Sequence, residues 1–375
     1  MKRKFAIIDE VDMNFKKLMY IQPVIASYRM PYFLQVANQF KTTYWAGCGA
    51  KKGFLDNYQS LRVKNAPIIE FFDGKICFQK NILSGFFSSK PNLVFMNANP
   101  RNISMWLLLV FAKMKGVKFL LHGQGLYHKP NPAYITRLMY RLLIMLSYQY
   151  VCYTKYSFES LKFLPKSIQK KLIVAENTLI NETEVPPFEK NQVARDILFI
   201  GRLREMVNLE ALIEAVGIVN EKLHVPVRLH VVGGGQDEGR YRSCYASRQD
   251  VIFYGAIFDD HVIADISKKC LVGCYPGAAG LSVVHYMSLS LIPLVNRDMT
   301  SHMGPEPSYI VDGFNGVFFD MPTPSSIGDA LIHILSTDYP DEMIVNAYKT
   351  YINLNNPSYG DKLVSIIQDA HLNRN

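Results

Sequence analysis

The chain has 375 residues, 49% of them hydrophobic and 19% charged, with a formal net charge of +9. A composition of this kind fills cores and excludes a disordered chain, and the length suits two domains of ordinary size. The six cysteines, Cys48 among them, include no CxxC pair, which argues against a zinc site or disulfide framework and for buried reduced thiols.

Residues 5–8 are apolar but the run stops at Asp9, too soon for a secretory signal. No apolar run approaches the roughly 20 residues of a membrane span; the longest are 105–112 and 142–146. Charge is divided unevenly. Residues 1–180 hold 26 Lys and Arg against 8 Asp and Glu, a net of +18, whereas residues 181–375 hold 15 against 24, a net of −9. The basic half is either a solvated surface or a face for anions such as lipid headgroups and phosphates. Nucleic acid is not expected, because the bases are scattered and no zinc-finger, homeodomain or RNP signature accompanies them.

In chain order, 18–21 reads as a buried strand. Tyr28-Arg29-Met30-Pro31 leads into a helix to about Phe40, and strands follow at 43–46 and 92–96. A helix covers 103–114, and the strand 117–121 ends in His122-Gly123-Gln124-Gly125. A long helix over 133–146, with Arg137 and Arg141, suits either a core helix or a docking element for an acceptor. Strands at 150–154 and 172–174 close this half. Short β-rich runs alternating with helices predict a parallel sheet covered on both faces.

The polar, acidic stretch 181–195, with Pro186-Pro187, reads as a linker. Alternation then restarts: strand 196–200, helix 209–220, strand 227–232 ending in Gly233-Gly234-Gly235, strand 251–254 before Gly255, and strand 270–274. The glycine triplet lacks GxGxxG spacing and a following GK[ST], so it reads as a flexible turn. The strand 291–295 contains Pro293, which fits best at a sheet edge or strand start. The expected architecture is α/β: domains at 1–180 and 196–350, with residues 351–375 a helix packing back on the first. Ligands are expected at the carboxyl ends of the strands, in a cleft between the two domains.

Two loops carry the chemistry. Tyr275-Pro276-Gly277-Ala278-Ala279-Gly280-Leu281-Ser282 links a strand to a helix. Its glycines permit close approach to a ligand, and the first amides of the helix lack intrahelical acceptors, which makes an anion site. Gly201-Arg202-Leu203-Arg204 also follows a strand, and Arg202 suits either a diphosphate or a solvent-facing turn. His122 suits a polar contact with substrate or a structural role. Glu306 would hold a sugar hydroxyl or cap the next helix. Without HExxH, GxSxG or a ligand cluster, metal hydrolysis and serine-nucleophile chemistry have little support.

Phe199-Ile200-Gly201-Arg202-Leu203, Leu212-Ile213-Glu214-Ala215 and Pro276-Gly277-x-x-Gly280-Leu281-Ser282-x-x-His285 resemble the C-terminal domain of glycosyltransferase family 4 over about residues 196–320. The similarity is to the bacterial subgroup with a PGxxGLxxxH turn, often found in surface polysaccharide synthesis. Pro305-Glu306 and Asp312-Gly313-x-x-Gly316 extend it; Tyr28-Arg29-x-Pro31, His122-Gly123 and Thr154-x-x-Ser157 match more loosely.

The resemblance implies a GT-B fold of two Rossmann-like domains and a retaining, metal-independent glycosyltransferase with no cofactor beyond its nucleotide-sugar co-substrate. It implies His122 and Arg202 as catalytic residues. Gly201, Arg204, Gly255, Gly277, Gly280, Leu281, Ser282, His285 and Glu306 would bind the donor. The family commonly carries a lysine where this chain has Val207, and its paired glutamates fall on Gly277 and His285. The expected acceptor is a glycan, lipid-linked and reached from the cytoplasm at the inner face of the membrane. The alternatives are a non-catalytic nucleotide- or glycan-binding protein and a nucleotide-sugar epimerase. A dinucleotide oxidoreductase is more distant, since no strand is followed by GxGxxG.

Overall fold

The computed structural model describes residues 17–47, 61–191, 194–223, 226–337 and 340–372. Residues 5–8 and Cys48 lie outside the described residues. The chain divides into two compact units, one of residues 1–122, 139–150 and 363–375, the other of residues 123–138 and 151–362.

The first half runs β1 (Lys17–Gln22), α1 (Met30–Gln39), β2 (Lys41–Ala46), β3 (Val63–Asn65), the hairpin β4 (Ile68–Phe71) and β5 (Ile76–Gln79), α2 (Ile82–Ser89), β6 (Leu93–Asn97), α3 (Ile103–Met114), β7 (Lys118–Gly123), α4 (Tyr134–Leu146), β8 (Gln149–Cys152), α5 (Lys155–Glu159), α6 (Lys166–Gln169) and β9 (Leu172–Val174). Seven strands form one sheet in the order β3-β2-β1-β6-β7-β8-β9. β1 pairs in parallel with both β2 and β6. Continuous apolar runs make these central strands, because both faces are covered: residues 18–21 and 93–96 are all buried. Asn102 starts α3 by accepting the Met105 N–H at 3.3 Å, and Thr154 starts α5 by accepting the Ser157 N–H at 3.0 Å. The short elements β3, β4, β5 and α2 were not evident from periodicity. Their burial is partial and they are too brief to show a repeat.

The second half runs β10 (Asp196–Ile200), α7 (Leu209–Leu223), β11 (Leu229–Val232), α8 (Glu238–Cys244), β12 (Val251–Gly255), α9 (Asp260–Ser267), β13 (Cys270–Tyr275), α10 (Ser282–Ser288), β14 (Ile292–Asn296), β15 (Val317–Phe319), α11 (Pro324–Leu335), α12 (Pro340–Leu354) and α13 (Tyr359–Leu372). Its six-stranded sheet has the order β12-β11-β10-β13-β14-β15, with all neighbouring strands parallel. Chain direction across the sheet reverses between β10 and β13. That is the doubly wound order, with a switch point where the two strands diverge into loops on opposite sides. Both sheets share it, since β1 and β6 hold the same positions in the first.

One local expectation is narrowed, since Pro293 takes the strand-start alternative and not the sheet edge, and one is corrected. β14 is an interior strand, and Pro293 is its second residue, so the missing N–H falls near the start of the ladder and the remaining rungs stand. The Gly233-Gly234-Gly235 turn is not a free hinge. A Cβ at Gly233 would lie 1.8 Å from the Gly201 carbonyl oxygen, and one at Gly235 would lie 2.0 Å from that of Leu203. The triplet is there because two backbones touch.

Gly273, in the middle of β13, serves the same purpose for a side chain. The Tyr286 ring lies where its Cβ would be, at 2.2 Å. The Tyr286 hydroxyl donates to the Cys274 carbonyl at 3.2 Å and accepts the Ile200 N–H at 3.1 Å, tying α10 to both switch-point strands. Gly273→Ala should therefore destabilise the protein by about 1–3 kcal/mol, read as a lower urea midpoint with an unchanged slope.

Candidate functional site at the strand switch point

β10 and β13 are neighbours, with Leu198 paired to Gly273, so the loops that leave them start side by side. The loop after β10 is Gly201-Arg202-Leu203-Arg204, and the loop after β13 is the turn 276–281. They are packed directly together: a Cβ on Gly277 would lie 2.1 Å from the Met206 carbonyl oxygen and 2.7 Å from that of Val207. Met206 and Asn208 hold positive φ to make this approach. Leu203 anchors the first loop, its side chain buried and its N–H donating to the Gly234 carbonyl at 3.0 Å.

The turn is pinned from beneath by His302, a residue with no sequence signal. The His302 Nδ1 accepts the Ala279 N–H at 3.2 Å while Nε2 lies 2.8 Å from the Asn296 carbonyl oxygen. These partners require Nε2 to carry the proton and the ring to be neutral. Burial favours that state by lowering the His302 pKa. The Ala279 carbonyl in turn accepts the Met303 N–H at 2.9 Å. The Tyr127 hydroxyl donates to the His302 carbonyl at 2.9 Å, and Gln124 Nε2 to that of Met303 at 3.3 Å, so the loop after β7 supports the same segment.

Glu306 lies at this place and is buried. Its Oε1 accepts from Asn177 Nδ2. Its Oε2 occupies the space that a side chain at 304 would take, since a Cβ on Gly304 would lie 1.9 Å away, and it comes within ordinary contact range of Gly280, 3.6 Å from where a Cβ would stand. The carboxylate is thus held against the turn, and its charge helps raise the pKa of the buried Tyr127 and Tyr309 phenols after the larger effect of desolvation. Arg204 is half-buried, with its guanidinium against the Met303 sulfur. Arg202 is exposed.

What the turn offers a ligand is a set of donors. Among the described residues, no acceptor takes the N–H of Gly280, Leu281 or Ser282, and α10 has no side-chain cap. The Ser282 hydroxyl is buried without a partner. Free amides are normal at a helix N-terminus, but a buried hydroxyl without a partner among them is uncommon, and together they match an anion with several oxygens.

The structure therefore brings Gly201, Arg204, Gly277, Gly280, Leu281, Ser282 and Glu306 together. Gly255 is at the end of β12, with φ of 79° and its carbonyl accepting the Gly233 N–H at 2.8 Å. His285 is one turn into α10. Its ring makes no hydrogen bond among the described residues, and burial pushes its pKa down to about 4. His122 belongs to the first unit, where it is the penultimate residue of β7, opposite Asn97, and packs on Phe95 with ring centroids 5.6 Å apart. Burial first, and then the nearby Arg29 charge, hold it well below the ordinary histidine range, so it is neutral. Val207 is 1% exposed and part of the second unit's core. Beyond His302, sequence reasoning missed Asn177, Gln124 and Tyr127. Isolated polar residues carry no spacing that would have found them.

Residues 181–350 match the glycosyl transferases group 1 family, a segment that contains both switch-point loops and Glu306. The structure resembles the pneumococcal O-GlcNAc transferase GtfA, solved with UDP and GlcNAc (TM-score 0.68, 11% identity, 96% of this chain and 100% of that one). It also resembles Anabaena HepE in complex with UDP (TM-score 0.66, 12% identity, 94% and 100%) and the lipopolysaccharide outer core galactosyltransferase WaaB (TM-score 0.59, 16% identity, 91% and 99%). At these identities the likeness establishes the fold, which is GT-B. No curated protein sequence matches the chain.

Two outcomes follow from burial. Val207→Lys should not restore a diphosphate contact. It places an ammonium in the core and should cost a few kcal/mol, seen as a lower melting temperature without tighter nucleotide binding. The second concerns pH. His285 titrates near 4 when folded and near 6.5 when unfolded, so its share of stability is complete above about pH 6.5 and is lost as pH falls towards 4. That share is about 3 kcal/mol. Thermal unfolding from pH 7.5 to 4 should show the decline, and His285→Gln should flatten it.

Proposed function

We propose that this protein is a retaining glycosyltransferase that moves a sugar from a nucleotide-diphosphate sugar to a glycan acceptor, without a metal ion. The observation that carries this reading is the set of unpaired donors at the switch point, the Gly280, Leu281 and Ser282 amides and the Ser282 hydroxyl, near Arg204 and a buried carboxylate. The group 1 match over the same segment and the UDP named in two structural neighbours point to a diphosphate as the anion.

In the proposed reaction the bond between the anomeric carbon and the β-phosphate oxygen breaks, and the acceptor hydroxyl oxygen bonds to that carbon. The acceptor's proton leaves with the departing diphosphate. Negative charge grows on the phosphate as the bond breaks, and Arg202, Arg204 and the turn amides would stabilise it. Their preorganisation matters more than their number, because His302, Glu306 and the Gly277 contact hold the turn in advance. Glu306 would accept a hydroxyl of the donor sugar, which needs an acceptor group near the phosphate but not facing it. His285 would meet the ribose, and Gly255 the nucleoside end. His122, neutral and so able to accept or donate one hydrogen bond, would meet the sugar or the acceptor hydroxyl. Retention of configuration and a lipid-linked acceptor on the cytoplasmic side of a membrane rest on the family resemblance, and the WaaB likeness is in keeping with a surface glycan.

The buried Val207 favours a second reading, a GT-B protein that binds nucleotide or glycan without transferring. Incubation with a panel of UDP-, GDP-, dTDP- and CMP-sugars separates the alternatives. A transferase consumes donor fast only with acceptor present, an epimerase converts donor alone, and a binding protein shifts its melting temperature without turnover. Arg202→Ala should weaken nucleoside-diphosphate binding by about ten- to a hundredfold, measured by calorimetry. Unchanged binding and transfer in that variant would remove Arg202 from the site.

A further inference from the structure

The outer face of α3 is apolar where a helix covering a sheet should be polar. Met105, Leu108, Leu109 and Ala112 are buried, as the core face requires. The opposite face carries Ile103, Leu107, Val110 and Met114, spaced four, three and four apart, and these are 42, 39, 44 and 76% exposed. Lys113 is the one charged residue of the helix, and the helix has no acidic residue. Single exposed apolar residues need no explanation, but a stripe along three turns marks a surface that meets something apolar.

The surroundings say what that is. Exposed Arg101 precedes the stripe, and exposed Lys113 and Lys115 close it. Arg101 Nη1 donates to the Gly74 carbonyl at 3.1 Å, which brings the tip of the β4–β5 hairpin, with exposed Phe72 and Lys75, beside the start of the helix. Across residues 61–122 there are nine Lys and Arg against two acids, Glu70 and Asp73. A second copy of the chain docked on this face would set that positive charge against itself. α3 has twelve residues, about 18 Å of helix, and no described helix is long and apolar enough to cross a membrane. An apolar stripe with basic flanks, too short to span, is suited to lying in the headgroup layer.

We propose that the outer face of α3, with the β4–β5 tip, docks this protein on an anionic lipid bilayer. Ile103, Leu107, Val110 and Met114 enter the acyl boundary while Arg101, Lys113 and Lys115 meet the lipid phosphates. The surface belongs to the first unit and the switch-point loops to the second, so the proposal does not depend on the chemistry proposed for them.

The test is co-sedimentation of the full chain with vesicles of phosphatidylglycerol and phosphatidylcholine, against vesicles of phosphatidylcholine alone. The protein should pellet with the first and not the second, less so at high salt. Leu107→Gln with Val110→Gln, and separately Lys113→Glu with Lys115→Glu, should each weaken the association by about tenfold or more. These side chains face outward, so circular dichroism, melting temperature and nucleotide binding should stay at wild-type values and exclude misfolding. Failure to pellet with anionic vesicles overturns the proposal, as does equal pelleting with both vesicle types. Vesicle binding that neither variant weakens overturns it in favour of another basic surface. A dimer in sedimentation velocity that Leu107→Gln with Val110→Gln dissolves overturns it in favour of a second copy.

Discussion

Backbone-to-backbone contact at the carboxyl ends of β10, β11 and β13 is the constraint on which the rest of the site depends. Gly233 and Gly235 lie against the carbonyls of Gly201 and Leu203, and Gly277 against those of Met206 and Val207. Distances this short leave no room for a side chain. The three loops therefore close as one layer over the ends of the strands, with the amides of residues 280–282 left without acceptors among the described residues. Packing beneath the layer is equally close: the Tyr286 ring fills the space over Gly273 and bonds to both switch-point strands. An anion site made of backbone needs this stiffness, because amides that must reorganise as charge develops contribute less than amides already aimed.

The electrostatics of the layer follow from burial. Glu306 is a buried carboxylate beside a site read as binding phosphate, which looks unfavourable until its partners are counted. Asn177 occupies one oxygen, and the other fills the space over Gly304. A carboxylate paired in this way can face a sugar hydroxyl without facing the phosphate. His302 contributes by being neutral: only the uncharged ring can accept the Ala279 N–H while donating to the Asn296 carbonyl. His122 and His285 are held neutral by the same cause, desolvation. Positive charge at the layer therefore comes from arginine, with Arg204 on the rim of the turn and Arg202 exposed beside it in sequence.

The position of Val207 shows how a family pattern and a packing pattern can diverge. Where the family commonly has a lysine, this chain turns the side chain into the core, and the backbone there serves as a wall for Gly277. Arg204, three residues earlier, holds its guanidinium at the Met303 sulfur on the rim of the turn. Positive charge at this edge is thus supplied from a different position in the same loop.

Strand and helix alternation, the switch-point loops and the two-sheet α/β class were legible in the sequence, because long apolar runs and glycine-bounded turns are local signals. β1, β6, β10 and β13 are buried on both faces and read as such. β3, the β4–β5 hairpin and α2 were not legible, since short, half-exposed elements take their structure from neighbours. The sequence also displayed the glycines at 201, 233–235, 277 and 280 but not their reasons; the triplet looked like freedom and is a contact. His302, Asn177 and the outward stripe of α3 emerged only in three dimensions. Composition and spacing determine which segments can be strands, turns or helices. Tertiary packing alone decides which polar group meets which, because residues 177, 279, 302 and 306 become neighbours only after the sheet has folded.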